Sequence, residues 1–405
     1  MLTRLRTAVI IATLAFAGGF ARTPAQTSEV TVHEWGTFTS VAGEDGQAIE
    51  WFPLDGPADL PCFVERSYPV SPKGVLFARV RMETPVLYFY APRDTTVDVR
   101  VGFRHGLITE FFPSARVTPE SVAPTRLIEP RFESTIGWRG VRILPDARPE
   151  FLTENAPNHY YAARSTDAAP VEVGGDKERF LFYRGVGNFA PPVTATVVQG
   201  NDVLAAGNGV PSMMLFENRG GRIGYRVMDH PGPRALLPRP ELRDDEDAID
   251  AVRIALQEML EARGLYPREA AAMIETWRDS WFTEGARLFY VVPQEAVDSL
   301  LPLRVDPTPA KVVRVFVGRF ELATETTLTD IRTAALAGDE HGLRKYGRFL
   351  HPFVDRLLAR TETKAARAAL TEVIEGGAQR FARAGTSTRE SSAGLKTGPT
   401  SAACR

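Results

Sequence analysis

Glu275 and Asp279 lie four residues apart in the segment Glu275-Thr276-Trp277-Arg278-Asp279-Ser280-Trp281-Phe282, with Arg278 beside them. Helical spacing puts such a pair on one face, with Cβ atoms about 5–6 Å apart. Paired carboxylates are what glycoside cleavage requires, one as acid and one as base or nucleophile. Catalytic carboxylates usually flank the bond from two different elements, so the competing reading is an acidic pair on a solvated helix face. A second group is His33-Glu34-Trp35-Gly36-Thr37. On a strand, His33 and Trp35 face the same way, and an imidazole there can carry a proton or ligate a metal near neutral pH. The competing reading is a structural strand with its Trp in the core. The third group, Asn158-His159-Tyr160-Tyr161-Ala162-Ala163-Arg164, combines aromatic area with polar edges that can stack on and hydrogen-bond a sugar. Its competing reading is an edge strand that uses Tyr for packing. The candidate catalytic residues are therefore Glu275, Asp279, His33 and His159. The candidate ligand-binding residues are Trp35, Tyr160, Tyr161 and Arg164.

Stronger motifs are missing. Gly185-Val186-Gly187-Asn188-Phe189-Ala190 fits a dinucleotide pattern, but that pattern needs a helix to follow. Pro191-Pro192 follows instead, and Pro192 holds Pro191 away from helical geometry, so the segment reads as a glycine turn. The chain has no phosphate-binding G-x-x-x-x-G-K, no G-x-S-x-G elbow and no C-x-x-C pair, and His33-Glu34 lacks the second His of H-E-x-x-H. His341 and His351 fall in helical sequence without ligand-spaced partners and read as structural. No metal site and no cofactor is assigned. The two cysteines, Cys62 and Cys404, exclude a disulfide scaffold by count and are expected as unpaired thiols.

The elements that must position these groups follow from periodicity. From Val30 to about Val227, short period-two runs are broken by Gly, Pro and Asp. Val97, Val99, Val101 and Phe103 alternate with polar residues, His105-Gly106 supplies a turn, and Leu107 to Phe112 is expected to return as a hairpin. Leu76, Ala78, Val80 and Met82 alternate, and beyond Pro85 the run Val86 to Tyr90 is apolar on both faces. Further strands are expected over 180–183, 193–198, 213–217 and 223–227, with turns at Asn201-Asp202 and Asn218 to Gly221. The period changes near Arg243. One helix starts after Asp244, Asp245 and Asp247 and stops at Gly264, with Ile249, Val252, Leu256, Met259 and Leu260 on one face. A second begins at Pro267, with Ala270, Met273, Ile274, Trp277 and Trp281 aligned. Strands are expected over 287–292 and 311–322. In the latter a bulge near Gly318-Arg319 would bring Val313, Val315, Val317, Phe320 and Leu322 to one face. Thr327 and Asp330 have capping-box spacing for a helix that Gly338 ends.

The expected class is α+β: an antiparallel β domain (sandwich or open barrel) over 28–230, a Pro-rich linker over 231–241, and a mixed, mostly helical domain over 242–383. Residues 384–405 are polar and aperiodic and read as disordered. At the other end, Arg4 and Arg6 precede the apolar run Ala8 to Ala21, and polar sequence resumes at Arg22. That order is the signature of a signal peptide, with cleavage after Ala21 or Ala25. The run is too short to cross a bilayer core, which needs roughly 20 residues. The expected location is periplasmic or extracellular, with no transmembrane segment in the mature chain. A net charge of −2 gives no electrostatic footprint for nucleic acid. Only six of the 48 basic residues are Lys, and the arginines are scattered, as compositional bias would leave them.

The strings HEWGTFTS, METPVLYFY, ETWRDSWFTEGARLFYVVP and RVFVGRFEL resemble those of an uncharacterised family of secreted bacterial proteins, from about His33 to Leu350. The resemblance implies an exported bacterial protein and brings no catalytic residues. The expected function is a cell-envelope protein with a binding or structural role, an envelope glycan being the partner considered. The alternative is an extracytoplasmic hydrolase or lyase acting on a glycan or other polymer.

Overall fold

The period-two runs form strands, and most of them join one sheet that also recruits strands from beyond the first helices. The computed structural model describes residues 28–54, 59–67, 76–120, 132–155, 157–244, 247–360 and 363–376. The leader, the 384–405 tail and Cys404 lie outside the described residues. Nine strands form the largest sheet in the order β14 (Arg222–Asp229), β13 (Ser212–Arg219), β16 (Gly285–Val291), β18 (Lys311–Leu322), β1 (Thr31–Val41), β3 (Val80–Tyr90), β10 (Leu181–Gly187), β5 (Gly106–Phe112) and β2 (Glu65–Arg66). All its pairings are antiparallel except β1 with β18. A six-stranded sheet holds β17 (Leu303–Asp306), β4 (Thr95–Arg104), β7 (Glu133–Ile143), β8 (Val171–Val173) and β9 (Asp176–Glu178), with β6 (Arg116–Thr118) on β7. The third sheet is β11 (Val193–Val197), β12 (Val203–Gly207) and β15 (Arg234–Leu237). The class is mixed α+β, strand-rich first and helical later. The two strands expected after the helices pair with each other and also join the large sheet. The Pro-rich stretch carries β15, paired with β12.

The helices are α1 (Ala248–Glu261), α2 (Pro267–Trp281), α3 (Gln294–Leu300), α4 (Glu325–Ala337), α5 (Glu340–Arg344), α6 (Leu350–Ala359) and a further one over 364–376. None of the described helices is long and apolar enough to cross a membrane.

The large sheet is a middle layer. One face packs against the two smaller sheets through Val32, Phe38, Met82, Phe89, Phe316 and Phe320. The other packs against α1 and α2 through Trp35, Val86, Tyr88, Val315 and Val317, and against α4 to α6 through Val41 and Ala323. Double coverage explains why the Val86–Tyr90 run is apolar throughout. It also overturns the bulge expected in β18, which pairs in unbroken register with β1 and β16. Val313, Val315 and Val317 face the helices and Phe320 and Leu322 face the other sheets, so no face change is needed. Gly318 is there for room: a Cβ would fall 1.9 Å from the Tyr290 ring.

Three other expectations are corrected. β4 and β5 are not a hairpin, because β4 pairs with β7 and β17 while β5 pairs with β10 and β2. His105, at φ 58°, turns a corner that carries the chain from one sheet to the next. Thr324, not Thr327, caps α4, its hydroxyl accepting from the Thr327 N–H at 3.1 Å, whereas Gly338 ends the helix as expected at φ 64°. Cys62 is disulfide-bonded rather than a free thiol.

Candidate functional site

β1 and α2 run beside one another, and their ends bring together groups far apart in sequence. Pro267 opens α2, which puts Glu269 in its first turn, over the start of β1. Glu269 Oε2 accepts from the Tyr266 N–H and from His33 Nδ1, each at 2.8 Å, and Tyr90 donates its hydroxyl to Oε1 at 2.8 Å. A carboxylate that takes three donors keeps the imidazole proton on Nδ1 and leaves Nε2 as the basic nitrogen. Nε2 is buried and, among the described residues, has no hydrogen-bond partner. The rings of Tyr266 and Tyr90 lie 4.5 and 5.3 Å from the imidazole. Burial, then the Glu269 charge, pushes the Tyr90 hydroxyl above its ordinary range. This is the carboxylate–imidazole pairing of general-base catalysis, but among the described residues nothing nucleophilic meets Nε2.

The other predicted residues fall into two places. His159 Nε2 meets Asp279 Oδ2 at 2.8 Å, with side chains 45% and 63% exposed. Arg278 bridges Asp279 and Glu275, and Arg253 holds Glu275 at 2.9 Å. Glu275, Asp279 and His159 thus share one exposed ion-pair chain, far along α2 from His33. Tyr160, Tyr161 and Arg164 lie in a 3-10 helix, His159–Arg164, capped by Asn158, not in an edge strand. Arg164 binds Glu178 through Nε and Nη2 at 2.9 and 2.6 Å, and its guanidinium covers Tyr161 and Phe151 at 4.8 and 5.2 Å. Tyr160 donates to Glu178 at 3.2 Å, and burial pushes that carboxyl up despite Arg164. Trp35 is fully buried under α2.

Sequence reading missed a band of charge crossing the helix-facing side of the large sheet. Arg287 on β16 donates through Nε to Glu321 on β18 at 2.9 Å, and Arg319 donates to the same oxygen at 2.6 Å and to Ser280 on α2 at 2.7 Å. On β1 and β3, Glu83 accepts from Thr39 at 2.8 Å and pairs with Arg81 at 2.9 Å and Arg348 at 3.2 Å. Arg184 on β10 spans Asp59 and Glu110. Burial, then the Arg348 and Arg184 charges, pushes Arg81 down to about 9. The clue in sequence is charge inside strands otherwise apolar on both faces, as in RMETPV and GRFEL. Each carboxylate of the band is held by at least one guanidinium, so the band clamps helices to sheet and leaves none of them unpaired for acid–base work.

An open concavity lies elsewhere. A cleft of about 960 Å³ lies on the outer face of the six-stranded sheet, with Gly137 in its lining beside residues of β4, β6, β7 and β17. Its size suits a small ligand or a segment of a polymer. Among the described residues, no group of three His, Cys, Asp or Glu side chains is placed to hold a metal ion. No protein-family model matches the chain, and no curated protein is similar enough to it to support a comparison.

Proposed function

We propose that this chain is an exported cell-envelope protein with a binding role, its β-rich part a sandwich of the large sheet against the smaller ones. Its ligand occupies the cleft on the outer face of the six-stranded sheet. One contrast carries the reading: the cleft is open and about 960 Å³ in volume, whereas the carboxylates of the helix-side band are tied to arginines. The leader pattern and the resemblance to secreted bacterial proteins support export. Gly137 supplies the test. A Cβ there meets only Val99 O, at 3.6 Å, so Gly137→Trp keeps the strand and fills the cleft. Co-sedimentation with isolated envelope glycans should show binding by wild type and its loss in Gly137→Trp. Equal binding by the variant would move the ligand elsewhere.

A hydrolase or lyase is the second reading, favoured by one observation, the unpartnered Nε2 of the His33–Glu269 pair. It requires Tyr266, 41% exposed, to swing off the imidazole and admit substrate. Turnover of an envelope glycan that survives His33→Gln would remove this reading.

A further inference from the structure

The sequence scatters its arginines, but the fold gathers four of them at the cleft. Arg304 on β17 pairs directly across from Arg100 on β4. Arg100 in turn lies across from Gly137 on β7, and Gly137 lies across from Arg116 on β6. One row across four strands therefore reads Arg, Arg, Gly, Arg, in steps of about 4.8 Å. Arg139, two residues beyond Gly137, points to the same side. All four arginines line the cleft.

Like charges set directly opposite on a sheet destabilise it, and the usual remedy is a carboxylate between them. That remedy is absent. Among the described residues, none of the four guanidiniums has a hydrogen bond or ion pair. Of the acidic groups that line the same cleft, Asp98 accepts from the Gly140 N–H at 2.7 Å. The helix-side band makes the comparison: there Arg81, Arg184, Arg287 and Arg319 each have a carboxylate partner.

A planar guanidinium matches carboxylate and phosphate through two parallel N–H donors. Gly137, in the middle of the row, lets a ligand approach the sheet between flanking arginines. Ser67, Thr118 and Thr135 add hydroxyls suited to sugar hydroxyls. We propose that the cleft binds an acidic glycan, whose carboxylate or phosphate groups are held by Arg100, Arg116, Arg139 and Arg304. DNA fits less well, because the deoxyriboses within its chain offer no free hydroxyl to Thr118 and Thr135. The inference rests on the binding role proposed above and names its ligand class.

The test is equilibrium binding of four fluorescent probes to the full chain: oligogalacturonate, its methyl ester, a polyglycerol phosphate and oligothymidylate. The expected result is binding of oligogalacturonate or polyglycerol phosphate, which also tells carboxylate from phosphate. That binding should weaken with added salt, as exposed ion pairs do. Arg100→Gln with Arg304→Gln should weaken it by about tenfold per arginine, the scale of a charge-assisted pair. The thermal midpoint should hold or rise, because a like-charge contact is removed. Binding of the methyl ester as tight as the acid would overturn the inference and leave the binding role standing. Tighter binding of oligothymidylate would overturn it in favour of another partner. If no probe binds while Gly137→Trp still abolishes envelope association, the acidic ligand is refuted and the cleft survives. If Gly137→Trp changes nothing either, both fall.

Discussion

Replacing Glu321 with Gln should cost about 3–5 kcal/mol of folding free energy, the scale for breaking a buried ion pair from one side. The Glu321 carboxylate accepts the Nε of Arg287 at 2.9 Å and the Nε of Arg319 at 2.6 Å, and Arg287 Nη2 lies 3.4 Å away. The two guanidiniums are 0% and 1% exposed, so water cannot take the carboxylate's place. Glutamine keeps the shape but removes the charge, and it offers the arginines one carbonyl and an NH₂ group that faces them as a donor. Arg287 then rests on the carbonyls of Trp281, Thr283 and Glu284, and Arg319 on Ser280. These neutral acceptors hydrogen-bond the cations without balancing them. Against a typical total of about 5–15 kcal/mol, the loss is a large share of stability. Urea unfolding followed by Trp fluorescence measures it, since Trp281 packs on Phe289, the cross-strand neighbour of Arg319. Arg287→Met, Arg319→Met and Glu321→Leu together should recover most of the loss, because an apolar replacement of a whole buried cluster is often neutral or better. A loss below about 1 kcal/mol for Glu321→Gln, the range of ordinary substitutions, would refute the clamp.

Trp277→Ala should cost about 3–5 kcal/mol, since Trp277 is 8% exposed in the core between α2 and the sheet; an unfolding loss under about 1 kcal/mol would contradict that burial. Glu275→Gln should change stability by less than about 1 kcal/mol, because its partners Arg253 and Arg278 are half exposed and such pairs contribute little; a larger shift in the urea midpoint would count against this. Burial raises the Asp59 carboxyl, but Arg184 and Arg81 outweigh burial and hold it at about 2, below its ordinary 3.8. A depressed folded value contributes stability above the ordinary value, lost as pH falls from about 4 to about 2. Unfolding midpoints of Asp59→Asn should therefore decline less steeply than wild type over that interval, and parallel acid limbs would show the pairing to be inert.

Local sequence determined the elements. The Pro267 start and Gly264 stop bracket their helices, β18 spans the residues its apolar run marks, and Asn218 to Gly221 turns β13 into β14. Those signals are carried by φ preferences, missing N–H groups and side-chain period, all within a few residues of each other. Tertiary structure decided which faces are covered. Alternation implies one wet face, so β18 read as needing a bulge, whereas a sheet layered on both sides buries both parities. Tertiary structure also decided the partners. His33 is legible as a candidate, but Glu269 lies 236 residues away, and Arg287 and Glu321 meet only because β16 pairs with β18. The same holds for the cleft. Arg100, Arg116, Arg139 and Arg304 look like compositional scatter until strand register sets them in one row, because charge adds up over distances in space and not along the chain.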